Sequence, residues 1–294
     1  MSSVLFPVSG VETWPWLPPL AALVITFCTS MVGISGAFLL VPFQLSVLGF
    51  ASPAASATNL VFNLIAIPGG MYRYWKEERL FWPLALAITV GGAPGTLVGA
   101  WLRTHWLVER AVFESFVAIV LLYLAWRMLT DLRRAATTAT AHEPLRLLGW
   151  RGREMRLAQG AHEYRVALPP LLGFSFLIAV VGTAYGIGGG SLMVPLLLTF
   201  YGLPMHAIAG ATLTASFLTS GLALALYSVL PVPLGIAVRP DWWLGLAFGI
   251  GGLLGAYLGA RMQRRIPRQW LSGFLALLLL GLALGYLWPG RPAP

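Results

Sequence analysis

Apolar residues run almost unbroken over 17–32, 37–49, 53–72, 80–101 and 108–130, then again over 166–186, 190–202, 206–230, 241–260 and 268–288. Polar residues gather between these runs instead of alternating within them. A helix needs about 20 residues to cross ~30 Å of hydrocarbon, and most of the runs reach that length. Two fall far short of it: 37–49 and 190–202 span only 13 residues each, and each follows a glycine cluster. Each short run therefore reads as a re-entrant half-helix or as a steeply broken span, because irregular backbone survives at membrane depth only where protein or a cavity satisfies it. The pattern predicts an all-α polytopic membrane protein with eight to ten spans, depending on which of the two the short runs are.

The same string occurs twice. Gly33-Ile34-Ser35-Gly36-Ala37-Phe38-Leu39-Leu40-Val41-Pro42 leads to Gly49, and Gly186-Ile187-Gly188-Gly189-Gly190-Ser191-Leu192-Met193-Val194-Pro195 leads to Gly202. Gly33, Ile34, Gly36, Val41, Pro42 and Gly49 recur at a shift of 153 positions. Ala57-Thr58 matches Ala211-Thr212 after a small gap. Gly91-Gly92, Gly95 and Gly99-Ala100 match Gly251-Gly252, Gly255 and Gly259-Ala260. A duplicated unit with a glycine break inside an apolar stretch is a common way to build a substrate site at mid-membrane. It divides the chain into a first repeat at 1–130, a basic linker at 131–165 and a second repeat at 166–294.

Composition agrees. Hydrophobic residues make up 58% of the 294 positions and charged residues 10%, more apolar surface than a water-soluble domain of this size can hide. The one cysteine, Cys28, reads as a small packed apolar side chain and supports neither a disulfide nor a thiolate metal site. No cofactor or metal is called for. The N-terminus lacks a basic n-region, so the first helix is expected to act as its own insertion signal.

The net charge of +9 first suggests nucleic acid, but the basic residues sit between apolar segments, which makes them a topology signal. Nucleic acid is excluded as a partner on that ground. No Lys or Arg precedes Arg73. With 131–165 cytoplasmic, Arg73, Lys76, Arg79, Arg127, Arg133, Arg134, Arg146, Arg151, Arg153, Arg156, Arg165, Arg261, Arg264, Arg265 and Arg268 fall inside, and only Arg103, Arg110, Arg239 and Arg291 fall outside. Both termini are then non-cytoplasmic, and the two repeats run antiparallel. Tryptophans mark the boundaries, Trp14, Trp101 and Trp242 among those at outer ends and Trp75, Trp126 and Trp270 among those at inner ends. In the linker, residues 144–158 mix Leu145, Leu147, Leu148, Trp150, Met155 and Leu157 with arginines, and an interfacial amphipathic helix is expected there.

The chemistry should sit at the breaks. Glycine permits close approach of backbone to a ligand. The following helix start offers unpaired N–H groups and a positive dipole end inside the membrane. Ser35, Gly36, Ala37 and Phe38 in one copy, with Gly188, Gly189, Gly190 and Ser191 in the other, form the candidate cradle for an anion. Thr58, Asn59 and Asn63, with Thr212, would add side-chain contacts; Thr214 and Ser216 rank lower. Their bland alternative is interhelical hydrogen bonding. Glu114 is expected to pair with Arg110, Asp241 and Arg239 to be interfacial, and His206 to be solvated. Tyr185 either aims its hydroxyl at a ligand or packs. The glycine ladders at 91, 95, 99 and 251, 255, 259 read as packing devices. Gly33-Ile34-Ser35-Gly36 also fits the G-x-S-G string of rhomboid-type proteases, but His105, His142, His162 and His206 are not placed to serve as a mid-membrane base, and the symmetry mate of Ser35 is Gly188.

The doubled G-[IV]-x-G-[GA]-x-[LM]-[LM]-V-P string, each copy followed by an Ala-rich A-T segment, resembles the TauE/SafE family over about Gly33–Ala100 and Gly186–Arg261. The first copy departs from the pattern at Ser35 and Ala37, and Asn59 stands where an A-T-S string is usual. The resemblance implies a bacterial inner-membrane transporter that exports sulfite or a small organosulfonate such as sulfoacetate. The expected partners are that small anion and the lipid bilayer, with a homo-oligomer left open. A neutral cradle of helix ends, hydroxyls and amides would suit such an anion. A negative-inside potential would drive it outward by about 2.3 kcal/mol per charge per 100 mV.

Overall fold

A computed structural model describes residues 3–32, 34–133, 145–160, 162–203, 205–230, 235–262 and 268–288. A short hairpin, β1 (Val4–Phe6) and β2 (Val11–Thr13), precedes α1 (Leu17–Val32), α2 (Ala37–Ser46), α3 (Pro53–Lys76), α4 (Trp82–His105) and α5 (Arg110–Arg133). An antiparallel sheet follows, β3 (Arg146–Arg151), β4 (Glu154–Gln159) and β5 (His162–Ala167). Then come α6 (Leu168–Tyr185), α7 (Met193–Phe200), α8 (Met205–Val229), α9 (Trp242–Met262) and α10 (Arg268–Leu287). Among the described residues seven helices, α3, α4, α5, α6, α8, α9 and α10, are long and apolar enough to cross a membrane. Helix α1, with 16 residues, is apolar but shorter, as are α2 with ten and α7 with eight.

Local sequence sets the helix limits. Pro53 opens α3 at a position where its missing N–H costs nothing, and prolines do the same in the first turns of α4 and α6. The short helices α2 and α7 are followed by Gly49 and Gly202, both with left-handed φ near +65° and +63°. Leu20, Val24, Val90, Ile119, Ile250 and Leu277 point outward, uncovered by protein. All twelve tryptophans are exposed too, which suits a ring at a lipid headgroup and would be odd in water.

Helices pack in a definite set of pairs: α1 on α9, α4 on α6, α5 on α10, and α3 against both α8 and α9, with α8 also against α4. The closest approaches are backbone to backbone. A Cβ added at Gly95 would lie 2.2 Å from the Phe176 carbonyl oxygen, and one at Gly99 2.4 Å from that of Val180. One at Gly255 would lie 2.3 Å from the Leu23 carbonyl oxygen, and one at Gly259 2.5 Å from that of Phe27. Small-residue ladders of this kind let membrane helices meet where lipid supplies no hydrophobic drive between them.

Two expectations need correction. The fold is mostly helical but not all-α, and the described part of 144–158 forms β3 and β4 in place of an amphipathic helix. The reason is local. Met155, Leu157 and Gln159 alternate inward along β4, a period of two. Gly152, in the Arg151–Glu154 turn, and Gly160, between β4 and β5, take left-handed φ values of +61° and +58°. Residues 134–144, which include His142, lie outside the described residues.

Candidate functional site

The first break is a tight turn between α1 and α2. The Ile34 N–H donates to the Thr29 carbonyl at 3.0 Å, closing α1; Gly33 lies outside the described residues. Gly36 has ordinary helical φ of −59°. Ser35 supplies acceptors to the start of α2: its Oγ takes the Ala37 N–H at 3.3 Å and its carbonyl takes that of Phe38 at 3.3 Å. Gly36 then accepts from Leu39 and Leu40, each at 3.1 Å. Above Gly36 stands Thr26, whose Oγ1 would lie 2.3 Å from a Cβ at position 36 and is itself buried without a partner among the described residues.

The second break is longer and built differently. Gly186, at φ +97°, ends α6, its N–H and that of Ile187 both donating to the Gly182 carbonyl. Gly188 is also left-handed, at φ +75°. The chain then lies directly on α8. The Gly189 N–H donates to Thr219 Oγ1 at 2.8 Å, and Ser191 Oγ is 3.0 Å from Ser216 Oγ. A Cβ on Gly190 would be 2.1 Å from the Thr212 carbonyl oxygen. The N–H groups of Gly190 and Ser191 donate to no acceptor among the described residues.

Asn59 joins the two breaks. Its Nδ2 donates to the Ala37 carbonyl at 3.0 Å and to the Gly186 carbonyl at 2.9 Å, spanning the start of α2 and the end of α6. Beside it the Tyr185 hydroxyl donates to the Phe38 carbonyl at 2.7 Å. Residues 37–38 and 185–186 thus meet at one buried place beside α3. Asn63, one turn further along α3, donates to Ser220 Oγ at 3.3 Å. Thr58 points elsewhere: its Oγ1 accepts the Asp241 N–H at 2.9 Å. Thr212 Oγ1 donates back to the Ile208 carbonyl at 3.1 Å, and Thr214 to that of Gly210 at 2.8 Å.

Among the flanking groups, Arg110 Nε is 2.8 Å from Glu114 Oε1, the pair expected from their spacing. Asp241 is buried within the protein. It caps α9, its Oδ1 accepting the Leu244 N–H at 3.1 Å and its Oδ2 the Ser9 N–H and hydroxyl at 3.0 and 2.8 Å. The His206 side chain lies outside the described residues. Among the described residues no three His, Cys, Asp or Glu side chains come together as a metal site.

Two residues escaped the sequence reading. Arg103, counted above as a flanking basic residue, is wholly buried. Its Nε donates to Ser56 Oγ at 3.0 Å and its Nη2 to the Ala51 carbonyl at 2.7 Å, Nη1 reaches the Leu107 carbonyl, and the guanidinium stacks 3.6 Å over the Phe113 ring. No carboxylate pairs with it among the described residues. Ser56 Oγ in turn donates to the Ala184 carbonyl at 3.0 Å. The surroundings of the second break are therefore not neutral: a fixed cation lies one side chain away. Position 103 at a helix end gave no sign of this. Gln44 is the other case, fully buried in α2 with neither amide atom partnered among the described residues. A lone amide inside the apolar run 37–49 was a legible signal.

A family model described as "Sulfite exporter TauE/SafE" matches residues 19–286. The chain is 21% identical over 271 residues to the "Probable membrane transporter protein YunE" of Bacillus subtilis, covering 87% of this chain and 92% of that one. It is 24% identical over 278 residues to a "Probable membrane transporter protein" of Xylella fastidiosa, covering 89% and 90%. No solved structure matches.

Proposed function

Because the chain belongs to the sulfite exporter TauE/SafE family of multi-pass membrane transporters and not to an enzyme family, we propose that it moves a small anion by alternating access, most simply sulfite or a small organosulfonate, outward. The observation that carries this reading is the meeting of the two breaks through Asn59. Such a meeting point, enclosed by protein at membrane depth, is where broken-helix transporters place their guest. The anionic end is assigned to the second break. There Gly190 and Ser191 keep their N–H groups available, and Arg103 adds positive charge through Ser56. Low local dielectric makes that charge count.

The architecture we propose is two inverted repeats, α1–α5 and α6–α10. Its support is the pairing of helices. Gly91, Gly95 and Gly99 of α4 meet Leu172, Phe176 and Val180 of α6, while Gly251, Gly255 and Gly259 of α9 meet Pro19, Leu23 and Phe27 of α1. The second set of glycines is the first moved by 160 positions, and their partners are related by 153. In this reading the α1–α9 and α4–α6 pairs, locked by backbone contact, rock against each other about α3 and α8, and α2 and α7 are re-entrant. The positive-inside count puts the arginines of β3, β4 and β5 in the cytoplasm and both termini outside.

Flux into proteoliposomes tests it, with sulfite, sulfoacetate, taurine, sulfate and thiosulfate compared with and without a pH gradient. Saturable flux of sulfite or a sulfonate is expected. Movement of none of these, with an unrelated solute carried, overturns the substrate.

A further inference from the structure

The amide of Asn59 is held in one orientation. Both atoms facing its nitrogen are carbonyl oxygens, of Ala37 at 3.0 Å and Gly186 at 2.9 Å. A carbonyl only accepts, so the nitrogen must lie on that side and the amide cannot be turned over. The other end, Oδ1, is thereby fixed as well. It is fully buried and has no donor among the described residues. One turn along α3, Asn63 is buried as well, but the group facing its amide is the Ser220 hydroxyl at 3.3 Å, which can accept or donate, so this second amide can offer its oxygen or its nitrogen. The spacing of four places both side chains on one face of the helix.

The donors of Asn59 are thus spent on the protein, and the atom left over is an acceptor. A bare oxyanion cannot satisfy it, since two acceptors repel, whereas a buried acceptor left unmade is costly. Resting on the reading that this protein moves a small anion, we propose that its guest carries a hydrogen-bond donor, an N–H or O–H group, that is read by Asn59 Oδ1 with Asn63 in support. The substrate class is a compact sulfonate or sulfite species with its own donor: an amino- or hydroxysulfonate, or hydrogensulfite. Fully deprotonated anions such as sulfate are disfavoured at this place. A site built around a hydrogen bond rejects the analogue that lacks it far more strongly than an apolar pocket rejects a missing methylene.

The test needs no mutation. Three two-carbon sulfonates of similar size differ only at the far carbon: taurine carries an ammonium, isethionate a hydroxyl, ethanesulfonate neither. Wild-type protein in proteoliposomes should take isethionate and taurine with kcat/KM about tenfold or more above ethanesulfonate. The preference should persist when N-methylglucamine replaces sodium. Equal use of all three overturns the inference while leaving anion transport standing. Sodium-dependent flux with ethanesulfonate carried equally well also overturns it, assigning the oxygens to a metal cation. If neither sulfite nor any of the three moves, the anion reading fails first. Asn63→Leu, which spares the bridge between the breaks, should draw the isethionate-to-ethanesulfonate ratio toward one; an unchanged ratio in folded protein removes Asn63 from the proposal. Asn59→Leu also removes the bridge, so its flux is read only beside its melting temperature.

Discussion

In the described part of the first break Gly36 keeps ordinary helical backbone angles, whereas the second break has two left-handed glycines, Gly186 and Gly188, and lies flat on a neighbouring helix. At position 35 the chain carries a serine whose hydroxyl and carbonyl both cap α2. At the corresponding position 188 it carries a glycine at φ +75°, where a side chain would be strained. Ala37 fits the first break, but its counterpart Gly190 has the Thr212 carbonyl where a Cβ would go. The departures of the first copy from the doubled string are thus tolerated by its geometry. The difference also divides the chemistry. Local acceptors consume the N–H groups of Ala37 and Phe38 in the first break, while the corresponding N–H groups of Gly190 and Ser191 donate to no acceptor among the described residues.

Exchanging alanine and glycine at the corresponding positions 37 and 190 gives the sharpest test of that contrast. Gly190→Ala drives a carbon into the backbone of α8, 2.1 Å from an oxygen and 2.6 Å from the Ser216 nitrogen. Overpacking of this sort costs about 1–3 kcal/mol, and more where no flexible side chain can yield. We expect a lowered melting temperature in detergent and flux near background. The opposite exchange, Ala37→Gly, removes a methyl at the first break and should cost about 1 kcal/mol or less, as a propensity effect at a helix start. Equal losses at the two positions would show that the breaks are not built differently.

Charge is the next difference, since Arg103 bonds to Ser56, whose hydroxyl reaches the Ala184 carbonyl at the end of α6 just before the second break. Arg103→Gln removes the positive charge and at least one bond to a backbone carbonyl. The variant should show a KM for the anion raised about tenfold, equivalent to ~1.4 kcal/mol, with Arg103→Lys recovering part of it. A residue that merely clamps the Ala51 and Leu107 carbonyls would lower folded yield and kcat and leave KM alone. Measuring the split between the two parameters in proteoliposomes decides.

The glycine ladders probe where the two halves should agree. If α4 on α6 and α9 on α1 are copies of one contact, Gly95→Ala and Gly255→Ala must hurt alike, because their Cβ atoms would meet carbonyl oxygens at 2.2 and 2.3 Å. Losses of about 1–3 kcal/mol in each, within ~0.5 kcal/mol of one another, are expected from melting curves. A large inequality would break the equivalence of the halves.

Much of this was readable from sequence because membrane helices announce themselves by length and composition. The limits of α1, α3 and α8 follow the apolar runs closely, and glycine marks both breaks. What escaped depends on contacts between distant segments. The burial of Arg103 arises from Ala51, Ser56 and Phe113 closing over it. Asn59 was read as a donor to an anion, yet its donors are taken by Ala37 and Gly186, the latter 127 positions away. Thr58 was read as its equal neighbour, but a one-residue step turns a helical side chain by about 100° and sends this one to Asp241. The sheet at 146–167 was missed because leucine, tryptophan and arginine suit an interfacial helix as readily as a strand; the turn glycines 152 and 160 were the better guide.

Ser35 gives the smallest expected effect and closes the comparison. Its hydroxyl accepts one bond, from the Ala37 N–H at a long 3.3 Å, in a half-buried position. The carbonyl bond to Phe38 does not depend on the side chain. Ser35→Ala should therefore cost about 0.5–1.5 kcal/mol at most and leave flux within about twofold of wild type. A nucleophile would behave otherwise, since its removal abolishes turnover outright. Ser35→Gly, which copies the second break into the first, should lose slightly more by loosening the turn. If either change instead silences transport, the hydroxyl touches the guest, and the first break contributes chemistry that the spent N–H groups of Ala37 and Phe38 do not suggest.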